Sequence, residues 1–303
     1  MSTIAIEDAI AKVGMWAGRP LRFERIAAGI TNLNWRITLS DPQEIYFLKI
    51  HGPGTESFID RDVAHEAAIK AGDAGIAPRL LFYDAADGIE VYEYLHGFRS
   101  CGVLETQHPT IRENIVRAYK TVHATQTLSV VKDGFAQLDQ HLNRLRRMGA
   151  ELPRDFEEML WQRRRAEAAI RAAGMDLVAC FNDGYVSNYM YNDDLEVKII
   201  DWEYAANNDP YWDLTMFSWE NFYTDSQSRR ELIEIYDGAY REDIAARVHL
   251  YVGVASIVWG LWATYQSLTS SIPFDFGKYA DLIFARGRMA MAVPEWERAL
   301  VTV

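Results

Sequence analysis

The chain changes its periodicity once, near residue 95, and that change restricts its fold more than any other feature. Before it, β-branched and aromatic runs at 21–26, 33–39, 45–50, 79–83 and 89–94 read as strands. Gly29-Ile30-Thr31-Asn32 and Ser40-Asp41-Pro42 supply turns between the first three. A helical stretch at 4–16 precedes them, and one helix, 59–74, is inserted after the His51-Gly52-Pro53-Gly54 loop. After Leu95-His96-Gly97 the pattern turns helical, with long runs at 110–124 and 155–173. A short β-rich segment at 177–180, 188–191 and 197–200 interrupts it, and helices resume to the end. The expectation is an α+β chain of two lobes: residues 1–95 β-rich, residues 96–303 mostly helical. A length of 303 residues suits that division.

Bulk properties narrow the function. A net charge of −12 argues against non-specific nucleic-acid binding. The most apolar late stretch, 248–262, carries His249 and is short for a membrane span, so a buried helix is expected there and no membrane insertion. Two cysteines, Cys101 and Cys180, exclude a disulfide scaffold and suit a reduced, cytoplasmic setting. The N-terminus lacks the basic start and apolar run of a signal peptide. No Cys/His spacing suggests zinc, and no Gly-x-Ser-x-Gly elbow suggests a hydrolase.

The most informative stretch is Phe181-Asn182-Asp183-Gly184-Tyr185-Val186-Ser187-Asn188, followed by Ile199-Ile200-Asp201-Trp202-Glu203-Tyr204. Asp183 and Asn188 lie five apart on a loop, and Asp201 ends an apolar strand one hairpin later, so strand pairing brings it back beside them. Phosphoryl transfer needs one carboxylate to orient the attacking hydroxyl and accept its proton. It also needs a carboxylate and an amide oxygen to hold Mg²⁺, a hard cation that prefers oxygen ligands. Asp183 is assigned as the base, and Asn188 and Asp201 as metal ligands. Asp and Asn also favour turns, as Asp193-Asp194 nearby illustrate, and the loop spacing alone is weak evidence.

Lys49 ends an apolar strand, a costly place for a charge without a partner. Glu66 on the following helix is a candidate partner, with Asp62 one turn earlier as an alternative, while snorkelling to solvent is the plain reading. Trp259, Trp262 and Gln266 share one helix face, and Phe274 and Tyr279 follow. Such a stripe is usually core, but tryptophan faces can also attract a quaternary ammonium. His123, on an apolar helical face, reads as a satisfied core or boundary histidine rather than a ligand.

The order of these parts resembles the protein-kinase-like fold in its small-molecule branch. More narrowly, the chain resembles the choline/ethanolamine kinase family, related to aminoglycoside phosphotransferases. The likeness runs from about Phe23 to Arg286 and rests on Gly29-Ile30-Thr31-Asn32, Phe47-Leu48-Lys49-Ile50, Ile200-Asp201-Trp202-Glu203-Tyr204 and Asn208-Asp209-Pro210 through Asp213-Leu214. It implies ATP and Mg²⁺ as cofactors. Gly29, Thr31 and Asn32 would cover the phosphates, Lys49 would reach them with Glu66 steadying it, and Glu93 to Leu95 would form the adenine hinge. Asp213 would support the catalytic loop. Trp259, Trp262, Phe274 and Tyr279 resemble the family's choline-binding aromatics, with Glu220 as the nearby negative group. The implied substrate is choline, ahead of ethanolamine, thiamine or an aminoglycoside. One departure stands out: the family usually has His where this chain has Phe181, which leaves a non-catalytic kinase-like binding protein as the rival reading.

Overall fold

The computed structural model describes residues 4–27, 32–52, 59–223, 226–270 and 272–303. Helix α1 (Ile6–Lys12) leads into five strands, β1 (Leu21–Ile26), β2 (Leu33–Ser40), β3 (Gln43–Ile50), β4 (Leu80–Asp84) and β5 (Ile89–Glu93). They form one antiparallel sheet in the order β1-β2-β3-β5-β4. Helix α2 (Arg61–Asp73) is inserted between β3 and β4. Strand alternation buries Ile37, Leu39, Leu48, Ile50, Ile89 and Val91 against Ala9, Val13 and Trp16, which gives this lobe its own core. At the N-terminus of α2, the Asp60 side chain accepts from the Val63 amide at 3.3 Å. The small side chains of Ala64, Ala67, Ala68 and Ala71 are all buried, and α2 packs against the 202–204 turn that follows Asp201.

The remainder runs β6 (Arg99–Ser100), α3 (Val103–Thr106), α4 (Pro109–His123), α5 (Gly134–Arg147), α6 (Phe156–Ala173), β7 (Val178–Cys180), β8 (Tyr189–Tyr191), β9 (Val197–Ile199), β10 (Ala206–Asn208), α7 (Pro210–Glu220), α8 (Ser226–Asp237), α9 (Glu242–Thr269), α10 (Phe276–Ala292) and α11 (Pro294–Thr302). Two short sheets, β7 with β10 and β6-β8-β9, carry the segment that the sequence singled out. Helix α9 is long and apolar enough to cross a membrane, but it is the core helix of this lobe, packed by α5, α6, α7, α10 and α11. That agrees with the expected buried helix. Bilobal kinase-like architecture is therefore observed, with α3, α5, β6 and β10 added to the elements expected. Cys101 and Cys180 are buried free thiols.

Candidate active site

The loop that carries Asp183, expected to be catalytic, hangs between β7 and β8 and is fixed from behind. Asp213, in the first turn of α7, is fully buried and accepts from the Phe181 amide at 2.8 Å and the Asn182 amide at 2.7 Å. Its second neighbour is His123 Nε2 at 2.9 Å, and His123 Nδ1 meets the Tyr236 hydroxyl at 2.8 Å. Both ring nitrogens are thus satisfied, in agreement with the core reading of His123. His123, Cys180 and Asp213 cluster closely enough to hold a metal. Their hydrogen bonds to the loop, to Tyr236 and from Cys180 to the Asn208 and Asp209 carbonyls make them a structural support instead. Asn182 adopts a left-handed φ of 65°. Its amide nitrogen donates to the Tyr204 carbonyl at 3.1 Å, and its oxygen accepts from Asn208 at 2.9 Å, which holds that conformation in place. Phe181 is fully buried with its ring 4.9 Å from Trp202, so it fills its place apolarly while Asp213 and His123 supply the polar support.

Asp183 accepts from the Tyr185 backbone amide at 3.2 Å and from the Asn188 side-chain amide nitrogen at 3.0 Å. The Ile200 amide donates to the Asn188 carbonyl at 2.9 Å, which returns Asp201 to the loop as the hairpin reasoning required. Burial and the neighbouring Asp201 carboxylate push Asp183 up to about 7. Asp201 also has a left-handed φ, 66°, which turns its side chain towards the sheet. Lys49 Nζ lies 2.7 Å from Asp201 Oδ1 and 2.7 Å from Glu203 Oε1. Burial alone would lower the pKa of Lys49, but Asp201, Glu203 and Glu90 together hold it well above the usual lysine value. Asp183, Asn188, Asp201 and Lys49 are therefore brought to one place.

The expected Lys49–Glu66 pair is not formed. Glu66 instead accepts from Lys70 at 2.8 Å, one turn along α2, and from the Ser129 amide at 2.9 Å. Asp62 is exposed and does not replace it. The carboxylates at Lys49 are Asp201, Glu203 and, across the sheet, Glu90 at 3.7 Å. Sequence reasoning missed Glu90 and gave Glu203 no role. The only signal for Glu90 is its place between Ile89 and Val91 near the start of a strand. Asn32 is buried and donates to Glu203 Oε1 at 3.0 Å, and Arg61 Nη1 reaches the same oxygen at 2.6 Å. Gly29 and Thr31 lie outside the described residues. At the expected hinge, Glu93 pairs with Arg79 at 2.6 Å and its own amide donates to the Arg79 carbonyl, so that amide is already engaged. A cavity of about 740 Å³ borders Glu93 to His96 but is lined by neither Lys49 nor Asp183.

The residues expected on the acceptor side lie around Tyr279. Burial raises its pKa, and so do Glu220 and Asp183, while Arg286 opposes them. Glu220 ends α7; burial, then the Asp183 charge, push it up to about 8. Glu220, Asp183 and Tyr279 thus share one electrostatic neighbourhood, and Tyr185 and Arg286 belong to it. The four aromatics singled out from sequence form one edge-to-face run through Phe276. Trp259 and Trp262 are 5.7 Å apart, Trp262 and Phe276 5.8 Å, Phe276 and Phe274 4.8 Å, and Phe274 and Tyr279 5.9 Å. Within that run Trp259 is 6% exposed, donates to the Met216 sulfur and packs on Tyr204, whereas Phe274 is 49% exposed.

A strand-borne lysine held by Asp201, which the hairpin returns beside an Asp-x-x-x-x-Asn loop, is the arrangement expected of a small-molecule phosphotransferase of the protein-kinase-like fold, acting on an alcohol. The chain belongs to the choline/ethanolamine kinase family, whose model matches residues 23–243. Among curated relatives, mouse ethanolamine kinase 1 is 26% identical over 89% of this chain and 84% of its own. The solved choline/ethanolamine kinase family protein of Mesorhizobium loti superposes with a TM-score of 0.85 at 28% identity, covering 97% of this chain and 96% of that one. Choline kinase LicA of Streptococcus pneumoniae shares the fold, with a TM-score of 0.77 at 21% identity over 94% and 98% of the two chains.

Proposed function

We propose that the chain transfers the γ-phosphoryl group of ATP to the hydroxyl of choline, within a two-lobed frame that divides near residue 95. The observation that carries the reading is the junction at Asp183. Asp183, pushed up to about 7 by burial and then the Asp201 carboxylate, accepts from the Asn188 side-chain amide, and its charge in turn raises the pKa values of Glu220 and Tyr279. A base with a pKa near the working pH combines the correct protonation state with useful proton affinity. Asp183 would orient the attacking hydroxyl and take its proton, and Lys49 would pair with the nucleotide phosphates. Asn188, Asp201 and the converging Glu203 offer the hard oxygen set that suits Mg²⁺. When bound there, the ion would offset negative charge on the phosphates.

The substrate cation would sit against Glu220 and the Tyr279 ring, with the Phe274 to Trp259 run behind it. A trimethylammonium cannot donate conventional hydrogen bonds, so ring faces and apolar contact suit choline. Ethanolamine is the second reading. It is favoured by the core placement of Trp259 and by Glu220, which a bound ammonium would return to its charged form and to which a primary ammonium can donate directly. The test is competitive phosphorylation of choline, ethanolamine, thiamine and an aminoglycoside with Mg-ATP. Phosphocholine as the dominant product supports the first reading. Phosphoethanolamine alone replaces it with the second.

A further inference from the structure

The antiparallel register of β3 and β5 sets Lys49 directly opposite Glu90. Directly opposed residues project from the same face of a sheet, close enough to interact. His51 is two residues beyond Lys49 and Tyr92 two residues beyond Glu90, so alternation puts all four side chains on one face. The contacts follow that geometry. Glu90 Oε2 is 3.7 Å from Lys49 Nζ and accepts from the Tyr92 hydroxyl at 3.0 Å, while Glu90 Oε1 is 3.0 Å from His51 Nε2. Glu90 is only 3% exposed, and a carboxylate so buried needs partners to remain charged.

The other two carboxylates at Lys49 have a different mechanical status. Asp201 and Glu203 follow β9, on the far side of the lobe junction, and Glu203 also serves Asn32 and Arg61. Glu90 shares a hydrogen-bonded ladder with Lys49, so this pair keeps its geometry whatever the lobes do. The α2 carboxylate Glu66 takes no part in it, being committed to Lys70 and the Ser129 amide.

We propose that Glu90, braced by His51 and Tyr92, is the positioning residue that aims Lys49 at the nucleotide phosphates, in the place of the helix carboxylate used by protein kinases. The inference rests on the reading above, that Lys49 faces phosphate. It gives Lys49 one partner on its own sheet, whereas Glu203 is tied to α2 through Arg61.

The test is titration calorimetry of the full-length chain with Mg-ADP and, separately, with adenosine, which has no phosphate for Lys49 to meet. Glu90→Gln is expected to weaken Mg-ADP binding by about tenfold or more while leaving adenosine affinity within about twofold of wild type. Glu66→Gln removes the helix carboxylate and should leave the ratio of the two affinities unchanged. Thermal unfolding of each variant checks that it is folded. If Glu90→Gln fails to fold, Glu90→Asp retains the charge one methylene short of Lys49 and should show a smaller loss confined to Mg-ADP. An unchanged affinity ratio in the folded Glu90 variants, or a loss in Glu66→Gln instead, overturns the inference. No Mg-ADP binding by the wild-type chain overturns the functional reading itself, and the inference with it.

Discussion

Replacing Gly184 by alanine is a severe test of how the catalytic loop is seated. A Cβ at this position would lie 2.4 Å from the carbonyl carbon and oxygen of Met216 and 2.8 Å from the Phe217 nitrogen. All three are backbone atoms in the buried middle of α7, so no side-chain rotation relieves the overlap. Favourable contacts between such atoms begin at about 3.5 Å, so the loop must retreat by about 1 Å. Asp183 is the adjoining residue and moves with it. A displacement of about 1 Å at a reacting group costs on the order of 10²-fold in rate, and overpacking a filled site costs roughly 1–3 kcal/mol of stability. The assay is steady-state kinetics with Mg-ATP and the accepted amino alcohol, paired with thermal unfolding. Gly184→Ala is expected to lower kcat by about 100-fold with a lower Tm and little change in nucleotide affinity. A variant with wild-type kcat and Tm would refute the claim that α7 sets the position of the base.

Protonation has opposite effects on stability and activity. Asp183, held up at about 7, and Glu220, at about 8, lie above their ordinary values of 3.8 and 4.5. Both therefore bind protons more tightly folded than unfolded, and their contribution to stability falls as pH rises from about 4 to about 8. Asp183→Asn with Glu220→Gln should flatten the decline of Tm between pH 5 and 8, whereas kcat/KM of the wild type should rise through pH 7 as Asp183 ionises. An unchanged Tm slope in the double variant would contradict this. Asp213→Ala leaves the buried Phe181 and Asn182 amides without their acceptor, at about 1–3 kcal/mol each, so urea denaturation should show a loss of roughly 2–6 kcal/mol. A loss below about 1 kcal/mol would show that the loop does not depend on that support. Trp259→Ala should cost about 3–5 kcal/mol of stability as a core truncation. Tyr279→Ala should instead raise KM for the alcohol, with a smaller fall in Tm than Trp259→Ala. The reverse pattern would move the acceptor pocket to the tryptophans.

The parts most legible in the sequence were those governed by local pattern. Strand alternation gave all five strands of the first sheet, and the hairpin between Tyr189 and Ile199 correctly returned Asp201 to Asn188. The partner of Lys49 was not legible, because it depends on which residue of β5 falls opposite it. Strand β5 pairs with β3 only after the inserted α2 and β4, so that register is not a local feature and leaves no periodic trace. Glu66 had the appropriate helical spacing, but a closer lysine on its own helix captured it. The facing of Trp259 and Trp262 was hidden for a different reason. Helix α9 is buried nearly all round, so its apolar pattern cannot tell a cleft-facing side from a core-facing one. Phe181 shows that one side chain can depart from its family's usual residue while the loop keeps its supports from Asp213 and His123.

The most direct test of the central claim is the rate at which wild type and Asp183→Asn consume Mg-ATP in the presence of the preferred amino alcohol. The account predicts alcohol-dependent turnover by the wild type, reduced on the order of 10²-fold or more in the variant while Mg-ADP still binds. Equal rates in the two proteins, or no turnover by the wild type with choline or ethanolamine, would contradict it.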